Sequence, residues 1–137
     1  MPMVAWDDAY CVGVSEFDEH HQRLVELLNG AYDSFTSGHS TDAIEAILEE
    51  LFDYATYHFT AEEAWLKEQG YPDLESHCAE HARFAAQIRE IAREHAPDET
   101  VRLMEVLTFL NEWLIDHILE SDAEYGRFMG TLPESRR

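Results

Sequence analysis

Histidines and glutamates recur at positions where a helical pattern places core side chains. His58 and Glu62 are four residues apart, and His77 and His81 repeat that spacing. On a helix, this spacing projects two donor atoms from one face towards a single ion. Burying an imidazole or a carboxylate without a partner costs several kcal/mol in an apolar core. These pairs therefore predict a shared metal site rather than isolated core histidines.

A further histidine on the first predicted helix, and a histidine and an aspartate near the fourth, complete the candidate set. Asp122 follows His117 by five residues, a spacing that swings two side chains apart on a regular α-helix. The pair can reach one site only if the helix ends or distorts after His117. The predicted ligands, in chain order, are His21, His58, Glu62, His77, His81, His117 and Asp122.

The number and type of these donors indicate the kind of site. Five imidazoles and two carboxylates exceed the four ligands of a structural zinc site. They suit two ions that are bridged by the carboxylates. Imidazole combined with carboxylate favours iron, although this donor chemistry also admits manganese, cobalt and zinc.

Four periodic segments joined by short turns must position these residues. Apolar residues and histidines recur in each segment at intervals of three and four, which predicts an all-α fold. We expect a single domain over 1–137 that forms an up-down-up-down antiparallel four-helix bundle. Its expected parts are an N-terminal arm at 1–17, the bundle at 18–119 and a tail with a short helix at 120–137. Asp18 is expected to cap the first helix, and Gly38 to end it.

The turns also predict which side chains share a level of the bundle. In antiparallel helices, residues equally distant from the connecting turn lie at the same height. Counting from the three turns pairs His21 with His58, Glu62 with His81, and His77 with His117. All six therefore fall within about two helical turns of one level.

Two neighbours of the predicted ligands need a separate interpretation. His20 directly precedes His21, but Leu24 and Leu28 continue the apolar seam from His21, which favours His21 as the ligand. His20 is then either a surface residue or a partner of a ligand. Cys78 adjoins His77 but points about 100° away from it on a helix, so we expect packing rather than ligation.

The composition limits the partners of this chain. Asp and Glu number 29 against 9 Lys and Arg, which gives a formal net charge of -20. Such a surface repels nucleic acid and anionic membranes, so we expect a monomer that binds neither. Two cysteines without a CxxC pair do not define a disulfide scaffold. The first residues do not resemble a signal peptide and no apolar run approaches a membrane span, so the expected location is the cytoplasm.

Taken together, these residues resemble the hemerythrin family, and in particular its single-domain bacterial members. The matching motifs are the arm from Trp6 to Asp18, His58-Phe59-x-x-Glu62-Glu63, Gly70-Tyr71-Pro72, His77-x-x-x-His81 and Trp113-Leu114-x-x-His117-x-x-x-x-Asp122. The similarity covers nearly the whole chain. One departure is His20, because such sequences usually carry Gln at this position.

The resemblance implies that the chain binds O2 reversibly at a non-haem di-iron centre and is not an enzyme. The implied roles are one iron held by His77, His81 and His117, a second with an open position held by His21 and His58, and bridges from Glu62, Asp122 and an oxo or hydroxo group. The implied O2 pocket consists of Phe59, Trp113 and Leu119. Its apolar lining would exclude water and anions from the bound oxygen.

Other functions are compatible with a metal-binding bundle. A di-iron oxidase of the ferritin type uses Glu-x-x-His on two helices, and no histidine of this chain has a glutamate three residues before it. A zinc hydrolase of the His-Glu-x-x-His type is a second alternative, but this chain does not contain that motif. An oxygen or redox sensor acting through a partner is a further alternative to storage or delivery of O2, because all of these roles share one kind of site.

Overall fold

The computed structural model describes residues 5–7, 10–93 and 99–130, and within them the chain is helical throughout its length apart from turns and the N-terminal arm. The α-helices are α1 (Ser15–Thr36), α2 (Thr41–Glu68), α3 (Leu74–Arg93), α4 (Glu99–Asp116) and α5 (Ala123–Phe128). A π-helical segment, His117–Asp122, joins α4 to α5 without a break. The described residues contain no strand, and the predicted all-α fold is confirmed.

The four long helices form a closed ring of neighbours. Helix α1 packs on α2, α2 on α3, α3 on α4, and α4 returns to α1. Short turns after α1 and α2 reverse the chain, so consecutive helices are antiparallel. The predicted end of the third helix, with His95 and Pro97, lies outside the described residues. This arrangement is the four-helix bundle that the periodicity predicts.

Local signals set the helix boundaries at both turns. The Ser40 hydroxyl caps α2 by accepting a hydrogen bond from the backbone N–H of Ala43 at 3.2 Å. Gly38 has φ +75 and Gly70 has φ +68, a left-handed conformation in which glycine carries no steric penalty. These two glycines end α1 and α2 within two residues of the helices.

The start of α1 differs from the sequence prediction. Helix α1 begins at Ser15 rather than near Asp18, and its N-cap position is Val14, which makes no side-chain cap. The Asp18 carboxylate instead accepts hydrogen bonds from the backbone N–H groups of Val12 at 2.6 Å and Gly13 at 3.3 Å. Asp18 therefore fixes the N-terminal arm against the first turn of α1, so the arm is shorter than predicted.

The fourth helix continues into the predicted tail helix without a break. Helix α4 ends at Asp116, and the helical course goes on through the π-helical segment and α5 to Phe128. Ala123 and Tyr125 in α5 are completely buried, which anchors this extension. The 3.6-residue apolar period fails between 117 and 122 because a π-helix shifts the register by about one residue per turn.

Two apolar clusters occupy the two ends of the bundle interior. The larger cluster includes Leu24, Ala55, Phe84 and Leu114. The smaller one joins the arm and α5 to the bundle, and consists of Val12, Phe17, Leu66, Tyr71 and Tyr125. On α1, α2 and α3, and along the course from α4 to α5, the predicted ligands fall between residues of the two clusters. The bundle therefore encloses a polar layer between two apolar regions.

Candidate metal centre

The polar layer contains eight buried side chains, each at most 6% exposed. They are His20, His21, His58, Glu62, His77, His81, His117 and Asp122. All seven predicted ligands belong to this layer, and helices α1, α2 and α3 and the π-helical segment each supply at least one. His20 is the additional member. The predicted common level of the bundle is therefore present in the fold.

The donor atoms of the layer form two groups. The first consists of Glu62, His77, His81 and His117, and the second of His21, His58, Glu62 and Asp122. Within each group, one ligand atom from every residue lies within 4.8 Å of the others. Glu62 belongs to both groups, so two cations held there would share a carboxylate.

Glu62 directs a different oxygen towards each group. Its Oε1 accepts a hydrogen bond from His77 Nε2 at 2.6 Å and lies 3.2 Å from His81 Nε2. Its Oε2 lies 3.2 Å from His58 Nε2, on the second group. This placement is the one that a bridging carboxylate requires.

Asp122 divides its oxygens in the same way. Its Oδ1 lies 3.0 Å from His117 Nε2 and 3.1 Å from His77 Nε2, both in the first group. Its Oδ2 lies 2.8 Å from His21 Nε2 in the second group. Asp122 can therefore also contribute one oxygen to each of two cations.

Several of these atoms converge without pairing. His21 Nδ1 and Nε2, His58 Nε2 and both oxygens of Asp122 are buried and have no hydrogen-bond partner in the described structure. His21 Nε2 and Asp122 Oδ2 are close, but their orientation is not that of a hydrogen bond. Buried polar atoms are rarely left unpaired. Donor atoms that aim at a common point instead of at each other fit cations held between them.

The charges of the layer also fit cations. Burial raises the pKa of the Glu62 and Asp122 carboxyls, but the neighbouring histidines outweigh it and hold both pKa values below their usual range. Burial lowers the pKa of His21 and His77, yet short contacts with Asp122 and Glu62 raise each pKa to about 9. The two ionised carboxylates thus attract positive charge into the layer.

The π-helical segment brings the last two predicted ligands together. His117 and Asp122 are its first and last residues, and both are buried. Because i→i+5 hydrogen bonds widen the turn, residues five apart lie on the same face of a π-helix, whereas in an α-helix they point in different directions. The helix therefore distorts rather than ends after His117, which is one of the two routes that the sequence left open.

Carboxylates outside the layer orient two histidines of the first group. His81 Nδ1 lies 2.8 Å from Glu63 Oε2, and His117 Nδ1 lies 3.1 Å from Glu80 Oε1. The Ser121 hydroxyl in turn donates to Glu80 at 2.6 Å. Such contacts hold each imidazole with its Nε2 towards the layer. Glu80 was not predicted, although its place directly before His81 could have suggested it.

Tyr125 was also missed by the sequence analysis. Its side chain is completely buried, and its O–H donates to Glu62 Oε2 at 3.0 Å. The signal was hidden because Tyr125 lies in α5, which the sequence placed in a tail. Glu62 therefore receives a hydrogen bond from a residue of the smaller apolar cluster.

Two of the three predicted pocket residues lie beside the layer. The Phe59 ring stacks on His81 with centroids 3.9 Å apart, and the Trp113 ring stacks on His117 at 4.4 Å. Both line a small apolar cavity with room for roughly one water-sized molecule. Its remaining lining consists of Leu24, Leu28, Leu51, Ala55, Phe84, Leu110 and Leu114.

The third predicted pocket residue does not line this cavity. Leu119 is 39% exposed and does not line the cavity, whereas Leu114 is 8% exposed and does. Leu119 lies two residues beyond His117, which turns it to the other side of the helix, while Leu114 lies three residues before it on the same side. Leu114 therefore lies at the cavity beside the layer, and the assignment of Leu119 to an O2 pocket stays a prediction.

The other histidine and cysteine residues that the structure describes lie outside the layer. His39 is exposed in the turn after α1. Cys78 is partly buried and belongs to neither donor group, as expected for a packing residue. No disulfide joins Cys11 and Cys78. Among the described helices, none is both long enough and apolar enough to cross a membrane.

The fold and the layer together define a protein that can hold two cations among the facing helices of a four-helix bundle. Residues 12–128 match the family model described as hemerythrin HHE cation binding domain. The chain therefore belongs to the hemerythrin family, and the resemblance seen in the sequence is confirmed.

Relatives match the chain over nearly its full length. The bacteriohemerythrin of Clostridium acetobutylicum is 32% identical over 127 residues, which cover 90% of this chain and 98% of that protein. The hemerythrin-like protein of Naegleria gruberi is 33% identical and covers 88% of each chain. A crystal structure of wild-type hemerythrin is 26% identical with a TM-score of 0.78, and the match covers 91% of this chain and 96% of that one.

Proposed function

We propose that this chain binds O2 reversibly at a non-haem centre of two iron ions, and that it stores O2 or delivers it to oxygen-requiring enzymes. The observation that carries the proposal is the pair of donor groups beside an apolar cavity, which share Glu62 and both lie within reach of Asp122. Family membership and the names of the bacteriohemerythrin relatives support it.

The resemblance to the hemerythrin family suggests a role for each residue. His77, His81 and His117 would hold one iron ion, His21 and His58 would hold the other, and Glu62 and Asp122 would bind both, together with an oxo or hydroxo group. The second iron ion would have one protein ligand fewer and so a free position for O2. The iron pair would supply the electrons for reversible O2 binding.

The residues around the layer favour a carrier over an enzyme. Phe59, Trp113 and Leu114 line a cavity to which no ionisable side chain contributes. An apolar cavity of this size favours a small apolar molecule and excludes water. The same lining offers nothing that would orient an organic substrate or supply a proton to it. We therefore propose that O2 leaves unchanged.

Metal analysis combined with absorption spectroscopy tests this function. The purified protein should contain two iron ions per chain. When the reduced protein meets air, it should gain near-ultraviolet and visible charge-transfer bands, and the visible band should disappear under vacuum through repeated cycles. A colourless protein with less than one iron per chain would contradict the proposal. Consumption of O2 without recovery would favour a di-iron oxidase instead.

We further propose that 1–137 acts as one domain and as a monomer in the cytoplasm. The contacts that hold the arm and α5 against the bundle support a single domain. The cysteines Cys11 and Cys78, which form no disulfide with each other, are compatible with a reducing compartment. Sedimentation of the iron-loaded chain should give a mass near 15.9 kDa, and twice that mass would contradict the monomer.

A further inference from the structure

His20 is buried at the edge of the polar layer but belongs to neither donor group. It is 6% exposed, and its Nδ1 lies 2.8 Å from Nδ1 of His58 on the neighbouring helix. The rings of Phe17, Tyr54 and Tyr57 surround it with centroids 5.3 to 5.8 Å away. The contact between His20 and His58 is therefore enclosed and specific in geometry.

The contact between two Nδ1 atoms has room for one proton, so one imidazole donates and the other accepts. His58 directs Nε2 into the layer, 3.2 Å from Glu62 Oε2. An imidazole that offers Nε2 to a cation must carry its proton on Nδ1. His58 is then the donor, and His20 accepts at Nδ1 and carries its own proton on Nε2.

Glu16 lies on the side of His20 where that proton would be. Its Oε2 is 3.9 Å from His20 Nε2, and its side chain is 63% exposed. A carboxylate at this distance attracts an N–H and repels a lone pair, so it favours the tautomer of His20 that is protonated on Nε2. A surface charge is thereby linked through His20 to the protonation of His58.

We propose that His20 is a positioning residue that holds His58 in its metal-binding tautomer, and that Glu16 sets the tautomer of His20. This inference rests on the proposed function, because it concerns the second of the two donor groups. The first group is oriented by the carboxylates of Glu63 and Glu80. In the second group, His58 is instead oriented by the neutral imidazole of His20. We therefore expect metal binding by the second group to depend on His20.

Variants of His20 test the positioning role with cobalt(II) as the probe. His20→Gln keeps an acceptor for the His58 N–H, whereas His20→Leu removes it. Titration of the metal-free protein should show the weaker of two binding steps reduced about 10- to 100-fold in His20→Leu. His20→Gln should restore affinity to within about threefold of the original protein. His39→Leu, at an exposed histidine, is the matched control and should change nothing.

Variants of Glu16 distinguish the positioning role of His20 from a role in packing alone. Glu16→Gln should weaken the same binding step about twofold, the size expected of an exposed charge. In the His20→Gln background it should have no effect, because an amide has fixed donor and acceptor ends. Glu19→Gln removes the same charge from an exposed position of α1 and should be neutral in both backgrounds. Equal effects of Glu16→Gln in both backgrounds would overturn the proposal.

A measurement without metal separates this inference from the proposed function. Nitrogen-15 spectra of the metal-free protein should show a hydrogen bond that couples Nδ1 of His20 to Nδ1 of His58. Absence of this coupling in the original protein, or normal cobalt binding by His20→Leu, would overturn the role of His20. Failure of the original protein to bind two cobalt ions would instead count against the two-metal centre, while the nitrogen-15 result still decides the contact between His20 and His58.

Discussion

Glu62 and Asp122 each give one oxygen to each histidine group, and this division turns a collection of buried polar residues into a candidate two-metal centre. The histidines supply neutral donors, while the two carboxylates supply the negative charge that the cations need. Around them, single contacts such as Tyr125 to Glu62 and Glu80 to His117 hold the donor atoms in place. We therefore expect the replacement of a single one of these side chains to have a measurable effect.

The Leu114 side chain should protect bound O2. Replacing it with alanine opens space next to the polar layer, where water can find hydrogen-bond partners, and should raise the rate of oxidation to the di-ferric state several-fold. The change should also cost about 2–5 kcal/mol of stability, as for other buried leucines. The rate is measured as loss of the visible band in air. Leu119→Ala is the matched control at an exposed position, and a faster rate in that variant would return Leu119 to the pocket.

The Tyr125 hydroxyl should stabilise the layer through Glu62. Tyr125→Phe removes a hydrogen bond to a buried carboxylate, which should lower the free energy of unfolding by about 1.5–3 kcal/mol. Urea denaturation of the protein measures the loss. Tyr57→Phe, at a tyrosine that is 57% exposed, should leave the free energy unchanged. Equal stability of the two variants would mean that Tyr125 contributes only packing.

At the scale of elements, the ends of the bundle helices depart from regular form where they serve the polar layer. The π-helical segment carries His117 and Asp122, which a regular helix would separate. At the start of α1, Asp18 in the first turn binds the backbone of the arm. The arm and α5 then cover one side of the layer with the smaller apolar cluster.

The Asp18 carboxylate should keep the arm on the bundle. Asp18→Ala leaves the backbone N–H groups of Val12 and Gly13 without this acceptor, at a cost of about 1–2 kcal/mol. Hydrogen exchange at these two amides should become faster, while exchange in the middle of α2 should not change. Glu19→Ala, on the exposed side of the same turn, is the control. Unchanged exchange at Val12 would show that the arm is held by its apolar contacts alone.

At the scale of the whole molecule, stability and metal binding are linked through the charges of one layer. The chain carries a net charge of -20, and two of its carboxylates are buried at the centre. Bound cations, or protons on His21 and His77, offset those central charges. Metal and protons should therefore compete for the same donors.

This competition predicts how stability depends on pH. In the metal-free protein the pKa of His21 and of His77 is raised to about 9. Their contribution to the free energy of unfolding is therefore complete below about pH 6.5 and is lost as the pH rises towards 9. Glu62 and Asp122 have lowered pKa values, so their contribution is lost as the pH falls below their usual values of 4.5 and 3.8. The metal-free protein should be most stable between these limits.

Urea denaturation at about pH 6 and about pH 9 measures the effect. The urea concentration at the unfolding midpoint of the metal-free protein should be lower at about pH 9 than at about pH 6. The midpoint of the iron-loaded protein should change little, because metal has replaced the protons. An equal fall in both forms would place the titrating groups outside the layer.

Much of the site was predictable from the sequence because its signals are local. The i, i+4 pairs His58–Glu62 and His77–His81 identify a helix face, and the turns set the level at which the faces meet. Donor type and spacing thus identified all seven residues of the two groups, and the helical period predicted the bundle. His21 was separated from His20 by the apolar seam that continues from it.

Only the tertiary structure decided how these residues meet. The position of Leu114 rather than Leu119 in the cavity, and the course of the chain through Tyr125, depend on a register shift between 117 and 122. The partners of the ligands, Glu80 and His20, are brought in from neighbouring helices. The physical reason is that a spacing states which residues share a face, whereas the direction of each donor atom depends on helix geometry and on contacts between helices that are distant in the chain.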